Sequence, residues 1–336
     1  MTQSRTALVT GSAGFIGYHL SLRLLNDGFR VIGLDGMTDY YDVRLKERRN
    51  QMLRQHDGFL SVEGLLETDG LLLDIVSEHC PDIVINLAAQ AGVRWSIENP
   101  RAYVDANLIG AFNILEAVRA QPATHLLMAS TSSAFGANTI MPYSETHAAD
   151  HQMSFYAATK KANEAMAHSY AHLYDLPITM FRFFTVYGPW GRPDMALFKF
   201  TKAILEDTPI DVYNHGDMRR DFTYIDDLVE GIRLLIDTPP VRGEPVEADS
   251  LSPVAPWRVV NIGNGETVRL LEFIEAIEAA TGKSAQKNMM DIQPGDVPAT
   301  WADASLLKSL TGYAPKTDVR TGVARFVEWY RDYYGV

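Results

Sequence analysis

Cysteine is almost missing from this sequence. Cys80 is the only one in 336 residues, so no intramolecular disulfide can form and nothing points to an oxidising compartment. A lone cysteine of this kind reads as a small buried apolar residue. Long apolar runs are missing too. No stretch approaches the ~18 residues that cross a bilayer, and Met1-Thr2-Gln3-Ser4-Arg5 leads straight into a Gly-rich segment without a signal-peptide pattern. The expectation is a cytoplasmic protein with no membrane partner. Basic charge is in deficit, with 30 Lys and Arg against 42 Asp and Glu and a formal net charge of -12. Such a surface repels a phosphate backbone. That argues against nucleic acid, and it leaves anionic small molecules only where a local group of arginines can hold them.

What is present is ordinary globular composition, 46% hydrophobic and 21% charged, which supports a packed core. At roughly 100–200 residues per domain, the length fits two domains or one large domain with an appended lobe. Ala7–Thr10, Val31–Leu34, Ile83–Leu87 and Leu126–Ala129 are short runs apolar on both faces, as buried parallel strands are. Amphipathic stretches lie between them, Phe15–Leu25, Asp42–Leu53 and Tyr103–Ala120. Repeated strand and helix with right-handed crossovers predicts a doubly wound, Rossmann-type α/β sheet. Past about residue 180 prolines interrupt shorter elements, which predicts a smaller C-terminal α/β lobe. The expected division is 1–185 for the sheet domain and mainly 186–336 for the lobe, with segments returning to the sheet from about 222–265. Thr238–Pro256, rich in Pro, Glu and Ser, reads as a linker.

Gly11-Ser12-Ala13-Gly14-Phe15-Ile16-Gly17 directly follows the first strand and opens the first helix. Glycines there allow a tight turn, and the helix N-terminus offers free N–H groups to a pyrophosphate. Asp35 ends the second strand, where its carboxylate can accept from adenosine ribose hydroxyls and would repel a 2'-phosphate. NAD is therefore expected over NADP, and no metal is called for.

Tyr156 and Lys160 are four residues apart in a long helical pattern, so they share a face and an ammonium can favour the phenolate. An unperturbed tyrosine titrates near ~10 and needs such help to act as a base. Upstream, a strand runs into Ser130-Thr131-Ser132-Ser133, hydroxyls at the carboxyl edge of a parallel sheet, where these folds bind ligands. Each feature alone is also what a surface helix or a polar loop would show.

In this order, the segments resemble the extended short-chain dehydrogenase/reductase family. Leu34–Lys46, Ala88–Arg94, Arg182–Ala196 and Met218–Asp227 are similar to its UDP-glucuronate 4-epimerase branch. The resemblance implies NAD-dependent inversion at C4 of UDP-glucuronate to UDP-galacturonate through a 4-keto sugar. It gives Thr131, Tyr156 and Lys160 the catalytic positions. For the cofactor it implies Gly11, Gly14, Phe15, Ile16, Gly17, Asp35, Leu66, Leu87, Ala88, Ala89, Gln90 and Asn107, with Tyr156 and Lys160. For the UDP-sugar it implies Arg192 and Arg220 at the diphosphate, Asp296 at the uridine ribose and Tyr213 near the uracil. Thr185, Ser132, Ser133 and Arg94 fall to the carboxylate and C4 region. It also implies a homodimer through a four-helix interface, with Leu108, Phe112, Leu115, Met166, Tyr170 and Leu173 on the pairing faces.

Two positions depart from the family pattern. Leu65 stands where an Asp usually meets the adenine amino group, and Phe135 where a Tyr is usual. A 4,6-dehydratase would need an Asp-Glu pair at Ser132 and Ser133. UDP-glucuronate decarboxylation and epimerisation of neutral UDP-glucose or UDP-N-acetylglucosamine remain the closer rivals. A non-enzymatic NAD sensor would typically lack the Tyr or Lys present here.

Overall fold

The uniformly apolar runs become the central strands of a parallel sheet. The computed structural model describes residues 4–293 and 295–336. From the N-terminus come β1 (Thr6–Thr10), α1 (Phe15–Asn26), β2 (Arg30–Asp35), α2 (Val43–Leu53), β3 (Phe59–Glu63), α3 (Leu71–His79) and β4 (Ile83–Asn86). Two short helices, α4 (Trp95–Glu98) and α5 (Pro100–Tyr103), lead through a π-helical stretch, Val104–Ile109, into α6 (Gly110–Ala120), β5 (His125–Ala129), α7 (Phe155–Tyr174) and β6 (Ile178–Phe183). Beyond these lie β7 (Thr185–Tyr187), α8 (Ala196–Leu205), β8 (Ile210–Val212), β9 (Arg219–Arg220), β10 (Phe222–Tyr224) and α9 (Ile225–Leu235). The chain ends with β11 (Trp257–Ile262), β12 (Val268–Arg269), α10 (Leu270–Thr281), β13 (Lys287–Met289), α11 (Ser305–Thr311) and α12 (Val319–Tyr334).

Seven strands form one parallel sheet in the order β11-β6-β5-β4-β1-β2-β3. β1 lies between β2 and β4, with Ala7 opposite Val31 on one side and Ile83 on the other. The strand order reverses at this point, so a crevice opens beyond the carboxyl ends of β1 and β4. β4 and β5 are buried throughout because helices cover both faces. α3, α6 and α7 close one face around Leu8, Val84, Leu126 and Met128. On the other face a single apolar cluster runs from Val9 and Leu24 through Ile232 to Phe273 and Phe326, joining the sheet to the C-terminal helices.

Several expectations change here. β3 is an edge strand that composition did not reveal, half-buried and mixed in character. β11 lies in the 222–265 stretch expected to return to the sheet, and it takes the edge beside β6. Thr238–Pro256 is no free linker: Asp249 and Arg258 pair at 3.0 Å in a buried position, and the Ser252 hydroxyl meets His168 Nε2 at 2.8 Å on α7. Cys80 is exposed, because it caps α3 with φ 44 and its side chain turns away from the core. Of the residues expected on the pairing faces, Leu115 belongs to the core, whereas Phe112 and Leu173 are 47% and 64% exposed. No helix among the described residues is long and apolar enough to cross a membrane.

Phe273 of α10 is fully buried and stacks on Phe222 with ring centroids 4.0 Å apart. Phe273→Ala should therefore cost about 3–5 kcal/mol of stability, read as a lower urea midpoint with an unchanged slope.

Candidate active site

A single cleft of about 1130 Å³ runs from the Gly-rich turn, past Tyr156, to the loop around Asp296. It exceeds the ~300–1,000 Å³ of a site for one drug-sized ligand and has room for two ligands end to end. Of the residues expected at the site, all except Asn107 line it.

The first end is built by α1 and β2. Gly11 has φ +70, and a Cβ on Gly17 would stand 2.0 Å from the Gly11 carbonyl oxygen, so the turn closes only with glycine. No side chain caps α1, which leaves the N–H groups of its first turn to a ligand. Asp35 accepts from Ala13 N at 3.0 Å and Met37 N at 2.9 Å, and both the residue and Lys46 face the cleft. Lys46 was not legible in the sequence, where it looks like one more charge on an amphipathic helix. Its Nζ donates to the Thr38 carbonyl and hydroxyl. Burial holds its pKa down, against the charge of Asp35. These groups fit an adenosine diphosphate moiety: free N–H groups for phosphates, a carboxylate for ribose hydroxyls, and apolar Leu65 and Leu66 beyond.

Asn107 does not line the cleft. Its Oδ1 accepts from Gln90 N at 2.8 Å, while its amide donates to the Gln90 carbonyl and the Thr159 hydroxyl, each at 3.0 Å. With both amide hydrogens engaged, it clamps the wall after β4 to α7 and acts by positioning.

At mid-cleft, Thr131 accepts from Ser133 N at 3.2 Å, and Tyr156 and Lys160 enter from the first two turns of α7. Ser154 caps that helix by accepting from Ala157 N at 3.1 Å. Burial pushes the Tyr156 pKa up, opposed by a hydrogen bond from Thr131 and by the charge of Arg192. Burial also pushes Lys160 down to about 8. Its Nζ donates to the Ala129 carbonyl at 2.8 Å, which ties it to the end of β5.

Arg192 is not a loose surface charge. Its Nε and Nη2 meet Asp194 at 3.0 and 2.6 Å, and its guanidinium lies 5.9 Å from the Tyr40 ring centroid. Burial opposes its charge, yet Asp194 raises its pKa further. Arg220 keeps different company. It donates to the Val297 and Pro298 carbonyls, and its pKa falls through burial and the nearby charge of Arg94. Arg94 bonds Asp296 at 2.8 Å and covers the Tyr213 ring at 4.5 Å. The far end therefore gathers Arg94, Tyr213, Arg220 and Asp296. Arg192 and Arg220, the two arginines expected at the diphosphate, line the same cleft with different hydrogen-bond partners.

Behind the catalytic helix, Glu164 takes a two-pronged bond from Arg182 at 2.9 and 2.8 Å and one from the Ser130 hydroxyl at 2.7 Å. Burial works against the carboxylate, yet Arg182 holds its pKa below the usual range. Glu164 lies one turn beyond Lys160 on α7, a spacing that sequence reading could have examined.

Residues 7–247 match the model of the NAD dependent epimerase/dehydratase family. The chain belongs to this family. A "Probable UDP-glucuronate 4-epimerase" of Rhizobium meliloti (strain 1021) is 56% identical over 332 residues, covering 97% of either chain. Among solved structures, the UDP-glucuronic acid 4-epimerase of Bacillus cereus, in complex with UDP-glucuronic acid and NAD, superposes with a TM-score of 0.88 at 33% identity. That match covers 98% of this chain and all (100%) of the other. The UDP-glucose 4-epimerase of Thermotoga maritima, with UDP-glucose, gives 0.85 at 27% identity, covering 98% and 99%. The chain thus shares the overall fold of these proteins.

Removing Arg182 would leave the buried Glu164 with the Ser130 hydroxyl and only the more exposed Lys161, 3.1 Å away, as its charged partner. Arg182→Met should cost about 3–5 kcal/mol, seen as a lower denaturation midpoint, and should lower turnover because α7 loses its anchor.

Proposed function

We propose that this chain interconverts UDP-glucuronate and UDP-galacturonate by inverting C4, with NAD resident at the Gly-rich end of the cleft. One observation carries the reading. A half-buried tyrosine faces a threonine hydroxyl in mid-cleft, between a phosphate-type turn on one side and a cluster of hydroxyls, Ser132, Ser133 and Thr185, on the other. What the relatives' names say they act on, a glucuronate carried by UDP, is in keeping with it.

NAD would be held by the Gly11–Gly17 turn, Asp35 and the Leu87–Gln90 wall; when bound it supplies reversible hydride chemistry, so no outside reductant is consumed. The Tyr156 phenolate takes the proton of the C4 hydroxyl and later returns it. Thr131 steadies the phenolate oxygen, and Lys160 fixes the helix against Ala129. Arg94, Arg220, Asp296 and Tyr213 hold the nucleotide, so the sugar can turn while its anchor stays. Arg192, beside Tyr156, adds the positive charge that favours proton removal. The 4-keto uronate is a β-keto acid that loses carbon dioxide readily, and hydroxyl donors from Thr185, Ser132 and Ser133 restrain its carboxylate. Two copies pair through α6 and α7, where Phe112 and Leu173 are exposed.

Incubation of the purified protein with UDP-glucuronate alone, followed by proton NMR, should give a mixture with UDP-galacturonate. Turnover of UDP-glucose instead, or release of a UDP-pentose, would overturn the substrate assignment. Thr131 works to lower the Tyr156 pKa, so its loss must raise it. In Thr131→Val the acid limb of kcat/KM should move to higher pH, and turnover at pH 7 should drop by roughly 10²–10⁴-fold. A limb that stays in place would remove Tyr156 from the role of base.

A further inference from the structure

Arg49 of α2 is the largest of the fully buried side chains. Its neighbours Arg44 and Arg192 are paired with Asp42 and Asp194, but among the described residues Arg49 is paired with no carboxylate. All its partners are neutral. Nη1 donates to the Ala13 carbonyl at 3.0 Å and the Tyr41 hydroxyl at 3.1 Å, and Nη2 to the Trp190 carbonyl at 2.6 Å. Nε is buried with no partner. A wholly buried cation without a counter-charge is costly and is retained only where something offsets it.

The place of this charge is informative. Ala13 belongs to the Gly-rich turn, and its N–H is engaged by Asp35 while its carbonyl is engaged by Arg49. Lys46 lies close enough for the two cations to oppose each other, and Arg192 acts on Lys46 as well. Asp35 and Asp39 are the acidic groups that also face Lys46. In a chain with a net charge of -12, Arg49 and Lys46 therefore lie near one another at this turn, and among the described residues no carboxylate pairs with Arg49.

We propose that Arg49 is the buried counter-charge for the pyrophosphate of the dinucleotide, a positioning residue that acts through the Gly-rich turn without touching the ligand. The same guanidinium holds the Trp190 carbonyl, so the loop that presents Arg192 is fixed to the turn it stabilises. The inference rests on the NAD reading above.

The test is NADH binding, followed by its fluorescence, for the wild type, Arg49→Lys and Arg49→Gln, with thermal melts of the ligand-free proteins as a check of folding. Lysine keeps the charge without the fork, and glutamine keeps amide donors without the charge. Arg49→Lys should bind within about threefold of wild type and Arg49→Gln at least about tenfold more weakly. Between roughly 50 and 500 mM KCl the affinity of Arg49→Gln should fall less steeply than that of the wild type. If Arg49→Gln does not fold, Arg49→Met takes its place with the same expectation. Glutamine binding as well as wild type, or lysine and glutamine weakened alike, overturns the role of the charge. A wild type that binds no NADH overturns the cofactor reading itself.

Discussion

The buried ion pair between Glu164 and Arg182 is the constraint on which the rest of the site depends. It joins α7 to β6, and through the Ser130 hydroxyl it joins both to the end of β5. Three elements far apart in sequence thereby take one register. Tyr156 and Lys160 project from the first two turns of α7, and Thr131 follows Ser130, so the register of this pair sets where they meet. Phe135 lies beneath the Arg182 guanidinium at 4.5 Å and stacks on Tyr143 at 4.4 Å, which carries the same order into the loop before α7. Two buried charges are costly to desolvate. Here the two-pronged geometry offsets that cost and yields a fixed orientation that apolar packing alone would specify less sharply.

The segments after β6 are tied to this frame by buried carboxylates. Asp221 accepts from the backbone N–H groups of Asn264, Gly265 and Ala302, so one side chain gathers the end of β11 and the chain before α11. Burial pushes its pKa up to about 6, opposed by these donors. Glu145 does similar work for the loop before α7, accepting from Asn261 N at 2.8 Å, and burial pushes it up to about 7. The walls of the cleft are thus held by polar groups that bond backbone. A smooth apolar interface would let the lobes slide, whereas each of these bonds has one geometry.

Legibility followed the same division. β1, β2, β4 and β5 could be read because a strand buried on both faces has no polar positions to confuse the pattern, and the Gly11–Gly17 turn because only glycine fits it. Tyr156 and Lys160 were legible by helical spacing. Leu115 was placed differently because periodicity names a helix face but not what covers it, and Cys80 because residue type does not say which way a helix end turns. Arg49, Lys46, Glu164 and Asp194 escaped because a charged residue in an amphipathic segment looks like a solvated one. What makes them functional is burial, and burial comes from elements that the local sequence does not contain. Arg192 and Arg220 were found by resemblance, but their separate settings could come only from the packed structure.

The electrostatics of Tyr156 and Lys160 follow from that packing. Burial disfavours both the phenolate of Tyr156 and the ammonium of Lys160, raising one pKa and lowering the other to about 8. Left to burial alone, the site would hold a neutral tyrosine and be a poor base near neutral pH. Thr131 and Arg192 act in the opposite sense, and Arg192 keeps its charge because Asp194 grips it. A cation already neutralised in part by its own carboxylate favours the phenolate without capturing it.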